Sequence, residues 1–442
     1  MACSGVEWQR PRLAAGPALA ALERWVDRRY TTILALWLVT IGAWCVVVSA
    51  HKPLSNDEVF VVWSAGQASI PDIWRGLVAG VNQDPPLVHV VAHYLFQLLG
   101  RSATVARMPG MAGFLMTLAF CALTVRGRVS PLLSLVPLFL PLAAACTPYA
   151  TEARPYGWLL GCTSLAVYSW SRIWRSQSPK RWLLLHAMSL AAALASQFFA
   201  IYLAIPFACG GAMAAAQRRK SWRPALCATA AALSSVVLWL PIMRGISKYS
   251  GHHFSPASIS GLRAFYRDIF PDAVLGIGVF LLCLAVARFL NLAEHRRDEV
   301  PAGECGSTDA ALLIGFLMIP VAALGVGLLI TKTLHTRYLL FSLVGWFIGI
   351  PMVADAIGGA RRSLAASVVA ACLAPAGLAM RESARFEYPD RYTLGQIGQI
   401  QRMVPDRGET IIPRANLYLT LQYYGEPRPI DGIGRQPESE RG

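Results

Sequence analysis

Charged side chains are scarce in this chain: Asp, Glu, Lys and Arg make up 15% of its 442 residues, against about a quarter in a soluble protein. The interiors of its long apolar runs carry none of the four. That argues against an ion-coupled pump or transporter, which needs ionisable groups near the bilayer midplane. The ten cysteines stand singly, mostly inside apolar runs (Cys45, Cys121, Cys162, Cys209, Cys227, Cys283, Cys372), so no disulfide framework and no metal-ligand spacing emerges. No G-x-G-x-x-G loop sits between a strand and a helix, so no nucleotide-binding domain is indicated. No internal repeat is found.

What fills the chain is hydrocarbon: 55% hydrophobic residues and a mean hydropathy of +0.46. Roughly eleven apolar runs are long enough for a bilayer core of about 30 Å. They fall near 31–50, 109–125, 130–147, 156–173, 182–197, 199–216, 225–243, 272–290, 310–330, 338–356 and 363–379. The reading is an all-α polytopic membrane protein of about 11 transmembrane helices. Whether 182–216 is one span or two is left open by the sequence.

The net charge of +15 does not point to nucleic acid, because the basic residues gather in alternate loops, as the positive-inside rule requires. Arg126 and Arg128, then Arg172, Arg175, Lys180 and Arg181, then Arg218, Arg219, Lys220 and Arg223 mark inner loops. Arg288, Arg296 and Arg297, then Arg361 and Arg362, continue the pattern. The basic stretch 1–30 reads as a cytoplasmic segment before an uncleaved anchor, since the apolar run behind it is too long for a signal peptide. Residues 31–380 form the membrane domain. An odd span count puts the tail outside. Residues 381–442 read as a short periplasmic region of α/β-like character, with a disordered end.

Four outer segments then carry the candidate chemistry: the first loop 51–108, the turn Thr147 to Tyr156, the loop 244–271 with His252 and His253, and Thr331 to Tyr338. The first loop, 51–108, holds Ser55-Asn56-Asp57-Glu58, then Asp84-Pro85-Pro86-Leu87 and an interfacial helix ending at Gly100. A transfer that displaces a phosphate needs a base for the attacking hydroxyl, and a carboxylate in a water-restricted corner serves that role. The plainer reading of Asp57-Glu58 is two solvated charges at the start of a helix near Val59, with Asn56 or Asp57 as its N-cap. In Glu152-Ala153-Arg154-Pro155-Tyr156, Pro155 suits a first helical turn. Arg154 at its mouth suits a phosphate or the Asp57 carboxylate, unless Glu152 and Arg154 are only a weak surface pair.

Lys332, His335 and Arg337, with Tyr338 beside them, place three potential cations within six residues at the outer end of a span. Such a group would attract a lipid-linked phosphate, or anchor the span at the interface. His89, His93 and Gln97 recur at helical spacing. Without a third ligand in view, they read as the polar stripe of an interfacial helix rather than a zinc pair. No metal site and no cofactor is assigned, and a metal requirement is left open.

In order, these pieces resemble the GT-C membrane glycosyltransferases. The nearest likeness is to the bacterial branch related to protein O-mannosyltransferases and the lipid A aminoarabinose transferase, and within it to the rhizobial-type lipopolysaccharide core transferases. The resemblance rests on Asp57-Glu58 after the first span, Pro85-Pro86-Leu87 to Leu98-Leu99-Gly100, Ala106-Arg107-Met108-Pro109-Gly110, Glu152 to Tyr156, and Arg337-Tyr338-Leu339-Leu340. It implies a GT-C fold, a polyprenyl-phosphate-linked sugar donor, a lipid or glycan acceptor (lipopolysaccharide, lipid A, another envelope glycan or a protein), and a site on the periplasmic side of a bacterial inner membrane. It also implies Asp57 as base of an inverting displacement with Glu58 as its neighbour. Glu152, Arg154 and Tyr156 would line the site, and Lys332, His335, Arg337 and Tyr338 would meet the donor. Membrane lipids are partners and nucleic acid is not. Met108-Pro109-Gly110 departs from the family's Leu-Pro-Ser, which reads as a mild packing change. The rival readings are a lipid-linked glycan ligase or polymerase, a flippase or transporter, and a non-catalytic assembly role.

Overall fold

The computed structural model describes residues 17–219, 221–248, 256–268, 305–331 and 334–358, with residues 377 and 380. The expected span 272–290, nearly all of 363–379, Lys332, His252-His253 and the region 381–442 lie outside these residues. Among the described residues the chain is almost wholly helical, and six helices are long and apolar enough to cross a membrane: Ala21–His51, Ala103–Val125, Phe198–Ala216, Trp222–Ser247, Gly306–Leu329 and Thr336–Asp355. This is a multi-pass membrane protein.

Helix α1 (Pro17–His51) starts well before the apolar run and continues through it without a break, so the basic stretch up to residue 30 is partly helical. Three short helices fill the first loop: α2 (Asn56–Ala65), α3 (Ile70–Val78) and α4 (Leu87–Leu99). The N-cap of α2 is Ser55, one residue ahead of the positions expected from sequence. Gly100, at φ +84°, ends α4 in the left-handed region where a residue without Cβ is least strained. The His89/His93 stripe faces inward rather than toward lipid: both rings are buried, and His93 Nδ1 lies 2.9 Å from the Ala65 carbonyl at the end of α2.

The frame of the molecule is the parallel pair α5 (Ala103–Val125) and α6 (Pro155–Ile173), the most closely packed helices among those described. A Cβ on Gly113 would run into the backbone of Gly157 and Trp158, and one on Gly161 into the backbone of Gly113. Small residues at these crossings let the two backbones touch.

Because α5 and α6 run the same way, residues 126–154 must carry the chain back along their length. The expected span at 130–147 does so without being an α-helix. Pro131, Pro137, Pro141 and Pro148 remove N–H donors and block helical continuity, and the segment folds as 3-10 turns at Leu133–Leu138, Leu140–Ala143 and Thr147–Thr151. Its irregular backbone is buried within protein, the condition under which such backbone is tolerated at membrane depth. Thr147 Oγ1 lies 2.8–2.9 Å from the carbonyls of Pro141, Leu142 and Ala144.

The 182–216 region is two helices, α7 (Pro179–Leu194) and α8 (Ala204–Ala216), the latter led in by a 3-10 turn at Phe198–Leu203. The break at 195–197 meets the first loop: Leu87 N–H donates to the Ala195 carbonyl at 3.0 Å, and Gln197 Nε2 to Asp84 Oδ1 at 3.3 Å. Then follow α9 (Trp222–Ser234), α10 (Leu240–Ser247), α11 (Ile259–Asp268), α12 (Cys305–Val326) and α13 (Leu343–Gly358). At the far end of α5, Arg128 pairs with Asp309 of α12 at 3.0 Å, and Asp355 of α13 accepts from Ser130 N–H at 2.9 Å. The near end holds the candidate chemistry.

Candidate active site

Glu58 and Asp57 are neighbours in the first turn of α2, yet they point into opposite environments. Glu58 is fully buried. Arg107 of α5 donates to it from Nε at 2.8 Å and from Nη2 at 3.0 Å, while the N–H groups of Ala153 and Ser55 add bonds of 2.7 and 2.8 Å. Arg107 also donates to the carbonyls of Ser49, Lys52 and Pro53 at 2.9, 2.6 and 2.7 Å. Burial pushes the Glu58 carboxyl up, but Arg107 and the two amides together hold it below the usual carboxylate range. Thus the end of α1, the start of α2, α5 and the 152–154 turn are tied at one point. With its acceptor sites filled in this way, Glu58 is not presented as a base; it fixes the turn on which Asp57 stands.

The Asp57 side chain is 47% exposed. Its Oδ2 takes a hydrogen bond from Arg337 Nη1 at 2.8 Å and lies 3.3 Å from Arg154 Nη2. Arg154 is the N-cap of α6, only 10% exposed, with Nη1 3.5 Å from the Asp57 carbonyl and Nη2 3.5 Å from the Tyr156 hydroxyl. Arg337, on the 3-10 turn Thr336–Ser342, is 30% exposed. Residues from the first loop, the α6 mouth and the late 336–342 turn therefore meet at one carboxylate.

Aromatic rings wall this corner. Tyr156 lies edge-on to Tyr149 with centroids 4.8 Å apart and is 6.4 Å from Tyr338. Tyr338 stacks on Phe199 at 4.8 Å. His335 sits 5.2 Å from the Tyr338 ring, and burial followed by the charge of Arg337 lowers its imidazole pKa. Next to Arg337 opens a cavity of about 70 Å³, lined by Tyr149, Phe265, Thr336 and Leu340 among others. That is well above the ~10–15 Å³ needed to hold one water.

Glu152 does not pair with Arg154. It faces Lys52 at 3.4 Å, and burial raises its carboxyl pKa against the pull of Lys52. Asp84, which is not among the site residues expected from the sequence, is buried beside the site. Only its Oδ1 has a partner, Gln197, and burial lifts its pKa despite the nearby charges of Arg154 and Arg337. His89 is also within the field of Arg154, and burial lowers it to about 4. The available signal for Asp84 was its place ahead of Pro85-Pro86, together with the polar break Ser196-Gln197 in an otherwise apolar stretch. Among the described residues, no group of three His, Cys, Asp or Glu is placed to hold a metal ion.

Residues 83–243, a segment that begins after Asp57-Glu58 and contains Asp84, Arg107 and Arg154, match the family described as dolichyl-phosphate-mannose-protein mannosyltransferase. Among solved structures, the chain is similar to ArnT from Cupriavidus metallidurans bound to undecaprenyl phosphate. Identity is 11% and the TM-score 0.55, over 88% of this chain and 84% of that one. ArnT from the same organism in the apo state gives 13% identity and a TM-score of 0.49, over 89% and 85% of the two chains. Comparison with curated proteins gives no sequence match. At this identity the likeness establishes the fold, which is GT-C.

Proposed function

We propose that this GT-C chain is an integral-membrane glycosyltransferase that moves a sugar from a polyprenyl-phosphate-linked donor to an acceptor in the bacterial envelope, such as lipopolysaccharide or lipid A, another glycan or a protein. The observation that carries the reading is the Asp57 carboxylate, half open to solvent, set between the guanidiniums of Arg154 and Arg337. The match of 83–243 to a mannosyltransferase family supports the reaction class. The undecaprenyl phosphate bound to ArnT supports the donor lipid.

In this reading Asp57 takes the proton of an acceptor hydroxyl as its oxygen forms a bond to the anomeric carbon. The bond from that carbon to the phosphate oxygen breaks, and its electron pair leaves with the lipid phosphate. One displacement inverts the anomeric configuration. Arg154 and Arg337 oppose the charge that grows on the leaving phosphate, a term that water exclusion strengthens. Tyr156, Tyr338 and His335 line the donor side, with Lys332 as a further contact. Glu152 with Lys52 forms the opposite rim, and Glu58 positions Asp57. The site faces the periplasm.

The experiment is a mass comparison of envelope lipids and glycans from cells lacking the gene, complemented with wild type or with Asp57→Asn. Wild type restores a species heavier by one sugar and Asp57→Asn does not, although it inserts at equal level. Restoration of that species by Asp57→Asn would remove Asp57 as the base.

A further inference from the structure

The donor phosphate of the proposed reaction and the carboxylate that acts as base need the same two guanidiniums. Asp57 Oδ2 holds Arg337 at 2.8 Å and Arg154 at 3.3 Å in the structure. The oxygen so engaged has its lone pairs turned to cations rather than to an acceptor hydroxyl. The Asp57 backbone cannot withdraw, because its neighbour Glu58 is tied at four points to Arg107, Ala153 and Ser55. Arg154 is confined at the mouth of α6, with Tyr156 and the Asp57 carbonyl against its fork. Arg337 is the freer of the two cations. It is 30% exposed, its Nε is buried without an acceptor, and it borders the 70 Å³ cavity. The phosphate of a lipid-linked sugar has two unbridged oxygens to offer such a half-satisfied fork.

We propose that the ligand-free protein is self-closed by the Asp57–Arg337 ion pair, and that the donor phosphate takes Arg337 over and thereby frees Asp57 to receive the acceptor. This rests on the donor reading above and adds an order to it: donor before acceptor. Competition of this kind is reciprocal, so whatever the phosphate does to the ion pair, the ion pair does to phosphate affinity. Deleting the Asp57 charge must therefore tighten donor-lipid binding while it removes turnover. A base that merely stands near the donor repels its phosphate and predicts a gain that persists when Arg337 is removed as well, and one that helps to hold the donor predicts weaker binding.

The test is the Kd of undecaprenyl phosphate for the purified full chain in nanodiscs, compared among wild type, Asp57→Asn, Asp57→Ser, Arg337→Gln and the Asp57→Asn/Arg337→Gln double variant. Only variants that elute monodisperse and unfold with a wild-type transition enter the comparison. Both Asp57 variants should bind about five-fold tighter than wild type, the lower end of usual coupling. The double variant should show no gain over Arg337→Gln, because Arg337 is the cation released. Inorganic phosphate, which shares the charge and lacks the chain, should show the same ratio at higher concentration. Equal or weaker lipid binding by the Asp57 variants, with wild type binding, overturns the switch and leaves the donor reading standing. A gain confined to inorganic phosphate removes the lipid headgroup from the proposal. No binding of the lipid by wild type overturns both.

Discussion

Arg107 and Glu58 face each other through two hydrogen bonds, 2.8 and 3.0 Å long, and neither side chain reaches solvent. The pair joins α2 to α5, and the same arginine holds three carbonyls at the end of α1. Removing one partner of a buried ion pair leaves the other charge stranded, which costs about 3–5 kcal/mol. Glu58→Gln should therefore lower the unfolding temperature and the yield of monodisperse protein, whereas Asp57→Asn should do neither. A Glu58→Gln variant with wild-type stability and no sugar transfer would instead put Glu58 in the chemistry.

Glycine spacing makes a second prediction. Gly113 of α5 lies against the α6 backbone at Gly157 and Trp158, so the Cβ of Gly113→Ala has no room unless the helices part. Overpacking of this kind costs ~1–3 kcal/mol or more. It would also shift Arg154, which caps α6, away from Asp57. Gly325→Ala on α12 is the control, since nothing lies within 4 Å of its Cβ, and helix propensity alone favours it by up to about 1 kcal/mol. Thermal unfolding of the two variants in one detergent should move in opposite directions.

How much of this was legible beforehand divides along physical lines. Apolar runs and the distribution of arginine revealed a polytopic helical bundle, because lipid imposes its demand on every residue of a span. Nothing local marked 130–147 as 3-10 turns except its prolines, and a hydropathy window counts proline as merely neutral. The same holds for Gly110: read as a mild departure, it sits where a Cβ would come within 2.7 Å of the Glu152 carbonyl, a contact visible only once α5 and the 149–154 turn are packed. Glu58 and Asp57 are adjacent in sequence and equally acidic, so only the position of Arg107 could separate one as buried anchor and the other as exposed carboxylate. Asp84 stayed hidden for a related reason, since its partner Gln197 is 113 residues away.

Arg154 offers a third prediction, specific to its planar fork. One guanidinium lies within reach of Asp57 Oδ2 at 3.3 Å and of the Tyr156 hydroxyl at 3.5 Å, and lysine carries its charge at a single point. Arg154→Lys should raise the KM for the lipid-linked donor by about tenfold, the loss of one good charge-assisted bond. The KM for the acceptor should change little. Steady-state kinetics with each substrate varied in turn would check this, and an unchanged donor KM would take Arg154 out of donor binding.

The last prediction concerns Asp84 and pH. Unfolded, this carboxyl loses its proton near 3.8; folded, burial holds the proton to higher pH although Arg154 and Arg337 oppose it. Between those two values the native state binds more protons than the unfolded one, so stability falls as pH rises through that window and then levels off. Each unit of displacement is worth about 1.4 kcal/mol. Asp84→Asn has no proton to lose and keeps a side chain of the same shape. It should therefore be the more stable protein at pH 7–8, and the gap should close as pH approaches 4. Unfolding temperatures of both proteins, taken from pH 4.5 to 8, measure that difference. If Asp84→Asn is instead less stable at neutral pH, with the gap widening as pH rises, then Asp84 is ionised in the folded protein. It would then serve Arg154 as a second counter-ion, ready to hold that arginine when Asp57 turns to the acceptor.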